Sequence, residues 1–513
     1  MGRRRSVPGS ERGEGDKEKK MNEKQREGVL LERPYCRLSE TQVKTVDGAS
    51  RQILEETGLV CHNEQAASIL KEAGAKIEET EGCVRVKIPS SLIDGILKTV
   101  PSKVVLGARN PDNKLILDAG EPRVRFGSGA ETNIWLDIEY KDGYPVYTRK
   151  EGSIDFLAKA AHLCEYLDNL DFFIRCVNIR DREINAANKD VNKFFVSASG
   201  ITKHIQAGLT DINALDMIVK MGEIIAGGKE AFRKNPVFSF ITCVIKSPLQ
   251  IVNDTASKLI EISKKALPVV ISSSPMAGAT APFDEFGMVA QINAEILAGT
   301  AINQLVSPGA PVLYGSVPVR TRLDNLYDMY GAPEFNQYNA DCAQMARFYA
   351  IPCYSTAGVG DTSLPGIQAT AEKMLTLMGV PPAGAQYIHY AFGLLEKTNV
   401  FCPEQAVMDN EHIGIVKHSL KAPGISEERK ERVTGLIKEI QATAHKTYMY
   451  HLPLPTREKV YVKYPLEDSN GDALHAAHLR YREISGMANK KLDEKTKEEI
   501  KRSVPGILPR CFK

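Results

Sequence analysis

From about Ser153 onward, apolar and β-branched runs alternate regularly with amphipathic stretches. The runs occupy 172–179, 204–209, 237–244, 268–274, 311–316, 351–356 and 385–391, at a spacing of roughly 30 to 43 residues. Stretches with helical periodicity, such as DTASKLIEISKKA and VAQINAEILAGTAINQLV, lie between them. Near-continuous apolar strands separated by helices predict a parallel sheet that is covered by helices.

A further strand expected within 123–138 brings the count to eight strand–helix units, which is the pattern of a (β/α)8 TIM barrel. A doubly wound open sheet is the alternative, although no G-x-G-x-x-G opens a helix after the first strand. We therefore predict an α/β fold with three parts. These are an N-terminal α+β extension (34–150), a barrel core (151–425) and a C-terminal helical region (426–513).

Residues 1–33 differ from the rest, because the first twenty are almost devoid of apolar side chains and cannot nucleate a core. We expect this segment to be disordered or to lie outside the true protein. The run Lys17–Lys20 can be encoded as a ribosome-binding site, so Met21 is an alternative start to Met1.

Composition narrows the classes of function. Hydrophobic residues make up 43% of the 513 positions and charged residues 25%, as in ordinary globular proteins. The formal charge is +2, which gives no general attraction to nucleic acid. No apolar run reaches the ~18–20 residues of a membrane span. The ten cysteines form no C-x-x-C pair, and Cys176 and Cys243 lie in apolar runs. We expect reduced, buried thiols in a cytoplasmic protein.

Metal and nucleophile motifs are weak. Only His475 and His478 have ligand spacing, and no third ligand lies near them in the sequence, so no metal site is predicted. The chain has neither the phosphate-binding G-x-x-x-x-G-K-[ST] nor the G-x-S-x-G of serine hydrolases.

In a barrel the active site forms from the loops that follow the strands. Here those loops are rich in small residues, and aromatic side chains gather near the same strand ends. The aromatic residues are Tyr314, Phe335, Tyr338, Tyr354, Tyr387, Tyr390 and Phe392. As a group they can form a cage for a quaternary ammonium through cation–π attraction, whereas core packing is the alternative for any one ring. The run FGSGAE (126–131) is too short to carry a prediction by itself.

Four segments carry a family resemblance: 278–316, GAPEFN (331–336), STAGVGDTSLPGIQA (355–369) and PEQAVMDNE (403–411). They resemble the trimethylamine:corrinoid methyltransferase family, over about residues 34–450. The resemblance implies a TIM barrel that transfers a methyl group from an amine to the cobalt of a separate corrinoid protein, with no tightly bound cofactor. The loop positions that it implies face the corrinoid are Gly278, Gly315, Gly358, Asp361, Thr362 and Gln368.

One departure from the family bears on the substrate. The trimethylamine enzymes carry pyrrolysine in the loop equivalent to 356–364, where this chain has only standard residues. The chain therefore resembles the branch that demethylates quaternary amines such as glycine betaine, proline betaine, carnitine or γ-butyrobetaine. Gly366 is a second departure, since the family often has aspartate there.

A quaternary ammonium leaves as a neutral tertiary amine, so no general acid is required and no catalytic residue is assigned. Arg320, Arg322, His204 or His389 can receive the carboxylate of a betaine. The predicted substrate-binding residues are Tyr314, Phe335, Tyr338, Tyr354, His389, Tyr390, Phe392, Glu334 and Arg320. Two alternatives remain: a trimethylamine-type demethylase that uses ordinary residues, and a non-catalytic betaine-binding subunit. The helical tail favours a homo-oligomer.

Overall fold

The computed structural model describes residues 28–80, 83–422 and 472–512, together with isolated positions between 433 and 441. The predictions on residues 1–27, including the Met21 start, and on most of 426–471 lie outside the described residues. Within the described ranges, no helix is long and apolar enough to cross a lipid bilayer.

Short strands and longer helices alternate through the chain. The strands are β1 (Val29–Leu30), β2 (Leu59–Cys61), β3 (Lys76–Thr80), β4 (Cys83–Lys87), β5 (Lys103–Leu106), β6 (Leu115–Asp118), β7 (Arg123–Phe126), β8 (Ile134–Lys141), β9 (Tyr144–Glu151), β10 (Phe172–Ile174), β11 (His204–Ala207), β12 (Phe238–Thr242), β13 (Ile245–Lys246), β14 (Gln250–Ile251), β15 (Val269–Ser273), β16 (Met276–Ala277), β17 (Val312–Ser316), β18 (Val319–Thr321), β19 (Asp328–Met329), β20 (Cys353–Thr356), β21 (Tyr387–His389), β22 (Leu394–Leu395) and β23 (Val400–Phe401). The helices are α1 (Glu40–Gln52), α2 (Glu64–Glu72), α3 (Ser90–Leu97), α4 (Ile154–Glu165), α5 (Ala186–Gly200), α6 (Leu215–Ala226), α7 (Lys229–Lys234), α8 (Asn253–Lys264), α9 (Glu285–Val306), α10 (Pro333–Phe348), α11 (Ile367–Gly379), α12 (Pro403–Ser419), α13 (Ala473–Ser485) and α14 (Glu494–Ser503).

The main sheet is a curled sheet of nine strands in the order β1-β7-β21-β20-β17-β15-β12-β11-β10. All neighbours are parallel except the antiparallel pair β1–β7. Each of the eight predicted runs supplies one of the parallel strands, which confirms the α/β class with a helix-covered parallel sheet. From β10 to β21 the neighbours follow chain order without the reversal of a doubly wound sheet. A parallel bridge between Gly127 and Phe172 also joins β7 to β10.

The inside of the curled sheet is filled by apolar side chains and by a hairpin from the N-terminal region. Phe172, Ile174, Val270, Leu313, Tyr354 and Tyr387 form one buried cluster with Val104, Leu106, Leu115 and Leu117 of the β5–β6 hairpin. The hairpin is fixed at the amino ends of the strands, where the Gln386 amide donates to the Asp118 carbonyl oxygen over 2.6 Å. The loops that follow the strands lie at the opposite end of the sheet, where the strands have their carboxyl ends.

Helix α9 is buried on every side, with each residue from Met288 to Gln304 inaccessible. It packs on β15 and β17 of the sheet and is covered by α1, α2 and α3 of the N-terminal region. A helix that is buried on all sides is expected to be largely apolar, and the polar side chains of α9, such as Asn293 and Glu295, are hydrogen-bonded within the core. At the other end of the chain, α13 packs on α12 and α4, and α14 on α6. The domain boundaries at 150 and 425 stay a prediction.

Candidate active site

Three aromatic side chains meet at the carboxyl ends of β20 and β21. The rings of Tyr354 and His389 stack with their centroids 4.1 Å apart, and the ring of Tyr390 meets His389 edge-on at 3.7 Å. Tyr390 has a φ of +68° and lies against Gly129, where a Cβ would sit 2.4 Å from its Cδ1 atom. We call Tyr354, His389 and Tyr390 the aromatic wall.

The aromatic wall is uncharged at neutral pH. Burial lowers the pKa of His389 well below its ordinary value. Its Nδ1–H donates to the Ser355 carbonyl oxygen over 3.0 Å, and the Thr356 hydroxyl donates to Nε2 over 3.1 Å, which fixes the neutral tautomer. Burial also raises the pKa of Tyr354 and Tyr390. Tyr354 and His389 are fully buried, and Tyr354 stacks with both His389 and Tyr387, so Tyr390 is the wall residue that stays partly exposed.

Cys243, directly after β12, is an accessible residue close to the aromatic wall. Its side chain is exposed, yet surrounding protein raises the pKa of the thiol by desolvation. A hydrogen bond with Ser272 opposes that rise, and charge on Cys243 raises the pKa of Tyr354 and Tyr390. The Cys243 side chain is accessible, and its effect on the pKa of Tyr354 and Tyr390 indicates that it lies near these two wall residues. The expectation that Cys243 is buried is wrong, whereas Cys176 is buried as expected.

Tyr330 extends this aromatic surface and is held by Asp361. The Asp361 carboxylate accepts hydrogen bonds from the backbone N–H groups of Tyr330 and Gly331, each over 2.9 Å. Burial chiefly, and charge on Tyr390 in addition, raise the pKa of Tyr330, and the Tyr330 ring packs on Phe335 with the centroids 5.6 Å apart. Burial raises the pKa of Asp361. Asp361 was predicted to face a corrinoid, and here it fixes the backbone beside the wall.

Four aromatic residues predicted to bind substrate lie in the packed core. Tyr314 is directed away from the inside of the sheet, and its hydroxyl donates to Asn293 Oδ1 on α9 over 3.0 Å. Phe335 and Tyr338 are buried on α10, and Phe392 is buried after β21. Of these, Phe335 contacts the site through Tyr330.

The polar candidates are dispersed. Arg320 lies 3.6 Å from Glu334 in a half-buried pair, and Arg322 pairs with Asp324 on the surface. His204 lies toward the amino ends of the strands, where Nδ1–H donates to the Gly107 carbonyl oxygen over 2.6 Å.

The predicted loop residues divide between the surface and the frame of the sheet. Gly278 has a φ of +88°, and a Cβ there would contact Phe283 and Leu323. Gly315 lies within β17, where a Cβ would stand 2.5 Å from the Ile271 carbonyl oxygen. Gly358 has a φ of +84°. The Thr362 carbonyl oxygen accepts a hydrogen bond from the backbone N–H of Glu396. Gln368 is exposed, and its side-chain amide donates to the Glu372 carboxylate over 2.7 Å.

Residues that sequence reasoning missed include Arg175, which follows β10. Its guanidinium is 3% exposed, and Nη2 pairs with Glu131. Gly129 and Glu131 belong to the FGSGAE run, which turns out to be the loop after β7. Their position in the sequence was the available signal, because both Arg175 and this loop come directly after a strand of the main sheet.

Within the described ranges, no group of three or more His, Cys, Asp or Glu side chains is placed to hold a metal ion. His478, one of the two histidines with ligand spacing, instead contacts Glu404 Oε1 through Nδ1 at 2.9 Å. His475 stacks on Tyr140.

A curled parallel sheet covered by helices places the protein in the α/β class, in which active sites form at the carboxyl ends of the strands. Residues 4–450 match the family model described as trimethylamine methyltransferase (MTTB). The chain belongs to this family and is a methyltransferase, as the sequence predicted.

Relatives within this family act on different amines, to judge from their names. The chain is 32% identical over 390 residues to the trimethylamine methyltransferase MttB of Desulfitobacterium hafniense (strain DCB-2), covering 76% of each chain. It is 30% identical over 393 residues to MttB of Methanosarcina barkeri (strain Fusaro), covering 75% of this chain and 76% of the relative. The glycine betaine methyltransferase of D. hafniense (strain Y51) is 27% identical over 395 residues, covering 77% and 79%.

Proposed function

We propose that this protein transfers a methyl group from a carboxylate-bearing quaternary amine to the cobalt(I) corrinoid of a separate corrinoid protein. The candidate donors are glycine betaine, proline betaine, carnitine and γ-butyrobetaine. The observation that carries this proposal is the aromatic wall, which is neutral and includes the partly exposed ring of Tyr390 near the accessible Cys243. A fixed cation is attracted to such π faces by ~0.5–2 kcal/mol per contact.

Two further points favour a quaternary over a tertiary amine. The loop 356–364 contains standard residues only, so the pyrrolysine of the trimethylamine enzymes is replaced. In addition, one relative is named a glycine betaine methyltransferase.

The reaction balances without an acid or a base. The carbon–nitrogen bond breaks, and its electron pair stays on nitrogen, so that a neutral tertiary amine leaves. The cobalt(I) electron pair forms the cobalt–carbon bond, and cobalt is formally oxidised to cobalt(III). The protein must therefore bind the cation, align the methyl group with the acceptor and keep water away.

Three of the predicted residues are retained in this proposal: Tyr354, His389 and Tyr390. Asp361 and Phe335 act indirectly, because they hold Tyr330 in place.

The proposed architecture is a closed (β/α)8 barrel. The bridge from Gly127 to Phe172 and the hydrogen bond from Asp171 N–H to the Phe126 carbonyl oxygen, 2.7 Å, support closure between β7 and β10. In a closed barrel the corrinoid partner docks over the strand ends and reaches the cavity from the loops. Self-association through the C-terminal helices belongs to the same proposal.

The first test is an anaerobic assay of methyl-cobalt formation by absorbance, with purified protein, its corrinoid partner reduced to cobalt(I), and each betaine in turn. Turnover of a betaine and none of trimethylamine supports the proposal. Turnover of trimethylamine alone supports the trimethylamine-type demethylase. Betaine binding without methyl transfer supports the non-catalytic subunit.

Matched tyrosine variants test the aromatic wall. Tyr354→Leu and Tyr314→Leu remove buried tyrosines from neighbouring strands, but only Tyr354 belongs to the wall. We expect KM to rise roughly 3- to 30-fold for Tyr354→Leu, from the loss of a cation–π contact with the bound substrate. Tyr314→Leu should lower the melting temperature without a selective loss of turnover. Equal activity losses in the two variants would contradict the assignment.

A further inference from the structure

Arg175 is a buried cation with unused hydrogen-bonding capacity. Its side chain is 3% exposed, and Nη2 pairs with Glu131. Among the described residues, neither Nε nor Nη1 has a hydrogen-bond partner. Burial lowers the pKa of this guanidinium to about 9. Buried polar groups in native proteins are nearly always hydrogen-bonded, so a hydrogen-bond acceptor is expected to bind at the N–H groups of Nε and Nη1.

The surroundings of Arg175 are rich in positive charge. Lys189 and Lys193 on α5 lie close enough that the Arg175 charge contributes to lowering the pKa of both amines. Two carboxylates lie near Arg175. One of them, Asp190, is fully buried and accepts a hydrogen bond from Lys193 over 2.6 Å. The other carboxylate, Glu131, is 46% exposed, so water screens much of its charge. An additional anion is therefore favoured at this point.

Arg175 and the aromatic wall are joined by one loop, residues 127–131. Gly129 lies under the ring of Tyr390, and Glu131, two residues on, pairs with Arg175. The Ser128 hydroxyl fixes the loop to β10 by donating to the Ile174 carbonyl oxygen over 2.8 Å. Arg175 is the first residue after β10, so it lies at the carboxyl end of that strand, as His389 and Tyr390 lie at the carboxyl end of β21.

We propose that Arg175 binds the carboxylate of the methyl donor and so selects betaines over quaternary amines that lack a carboxylate. This inference rests on the proposed function. Each unpartnered nitrogen shares an edge of the guanidinium with Nη2, so a carboxylate can take two parallel N–H···O bonds along one edge. Glu131 then acts as a competitor, because it holds Nη2 while the site is empty of substrate.

Arg320, the arginine chosen from the sequence, is the natural comparison. It is half-buried beside Glu334 and belongs to β18, outside the main sheet. Its Nε is also buried without a hydrogen-bond partner, but the side chain as a whole is 31% exposed and the Glu334 carboxylate already lies 3.6 Å away, so Arg320 has less to gain from a new carboxylate than Arg175 has.

The test is calorimetric titration of the full-length protein, without the corrinoid partner, with the four betaines and with tetramethylammonium. The variants are Arg175→Gln, Arg175→Lys, Arg320→Gln and Glu131→Gln. Loss of a charge-assisted bidentate contact should weaken betaine binding roughly 10- to 100-fold in both Arg175 variants, with tetramethylammonium affinity unchanged. Arg320→Gln should leave betaine affinity within about twofold of wild type. Glu131→Gln should tighten betaine binding.

Unchanged betaine affinity in Arg175→Gln, or selective loss in Arg320→Gln, overturns the inference. If Arg175→Gln unfolds, Glu131→Gln decides, because only competition for Arg175 predicts tighter binding. The two proposals fail separately. Arg175-dependent betaine binding without methyl transfer refutes the proposed function alone, whereas methyl transfer with an unchanged KM in the Arg175 variants refutes the inference alone.

Discussion

His204 should make the stability of this protein depend on pH, and the structure sets the size of the effect. The imidazole is fully buried, with Nδ1–H donating to the Gly107 carbonyl oxygen and the Ser239 hydroxyl 2.7 Å from Nε2. Burial lowers the pKa of His204 from 6.5 to about 4. The neutral form is therefore the one that folds most favourably.

The sign follows from proton binding. Between pH 6.5 and 4 the unfolded chain binds a proton at His204 that the folded protein excludes, so stability is lost as the pH falls through this range. One unit of pKa corresponds to ~1.4 kcal/mol, so the full loss is about 3 kcal/mol. From pH 7 to pH 5 the same pKa values give a loss of about 2 kcal/mol in the free energy of unfolding.

The perturbation is His204→Asn, because the Asn amide can still donate to Gly107 but does not titrate. Its absolute stability should fall, since the contact with Ser239 is lost. The measured quantity is the change in the free energy of unfolding between pH 7 and pH 5, from urea titrations followed by circular dichroism with refolding checked. We expect this change to be about 2 kcal/mol smaller in the variant than in wild type. Equal changes in wild type and variant would refute the reasoning. His389 is present in both proteins, so its contribution to the pH dependence cancels in the comparison.

Three further predictions concern the site. Asp361→Ala removes the acceptor for the N–H groups of Tyr330 and Gly331, so KM should rise and unfolding should become easier by about 2 kcal/mol, checked by kinetics and urea titration. Gly129→Ala places a Cβ 2.4 Å from the Tyr390 ring, so kcat should fall roughly 10-fold or more while the melting temperature changes little; unchanged kcat would contradict this packing. Methyl methanethiosulfonate should inactivate the enzyme by modifying Cys243 at alkaline pH, where the thiolate forms. Bound betaine should protect the enzyme, and Cys243→Ala should resist inactivation, whereas a Cys36→Ala control should not.

The strands of the main sheet could be predicted from the sequence, because parallel strands buried on both faces leave unbroken apolar runs such as 237–244 and 311–316. The same burial hides which side chains are directed inward. Tyr314 and Tyr354 occupy similar runs, yet Tyr314 contacts α9 and Tyr354 lies inside the sheet. Alternation along a strand has a period of two, so an error of one residue in register reverses the assignment.

The polar residues at the rim could not be found for a different reason. Arg175 lies in the middle of the apolar run FFIRCVNI and is therefore interpreted as part of a strand, and Cys243 is interpreted as a small core residue of the run 237–244. Both are the first residues beyond their strands. Strand ends are the least certain boundaries in a sequence, and in this fold they are where the functional side chains lie.

The two ends of a bound betaine have different consequences for catalysis. The carboxylate keeps its charge throughout methyl transfer, so a contact with Arg175 is equally strong before and in the transition state. Such uniform binding lowers KM and leaves kcat unchanged. The ammonium loses its charge as the methyl group departs, so cation–π attraction to Tyr354 and Tyr390 stabilises the bound substrate more than the transition state. The aromatic wall must therefore accelerate the reaction by orientation and by excluding water. It follows that Arg175 variants should change KM, and that Gly129→Ala, which displaces the wall, should change kcat.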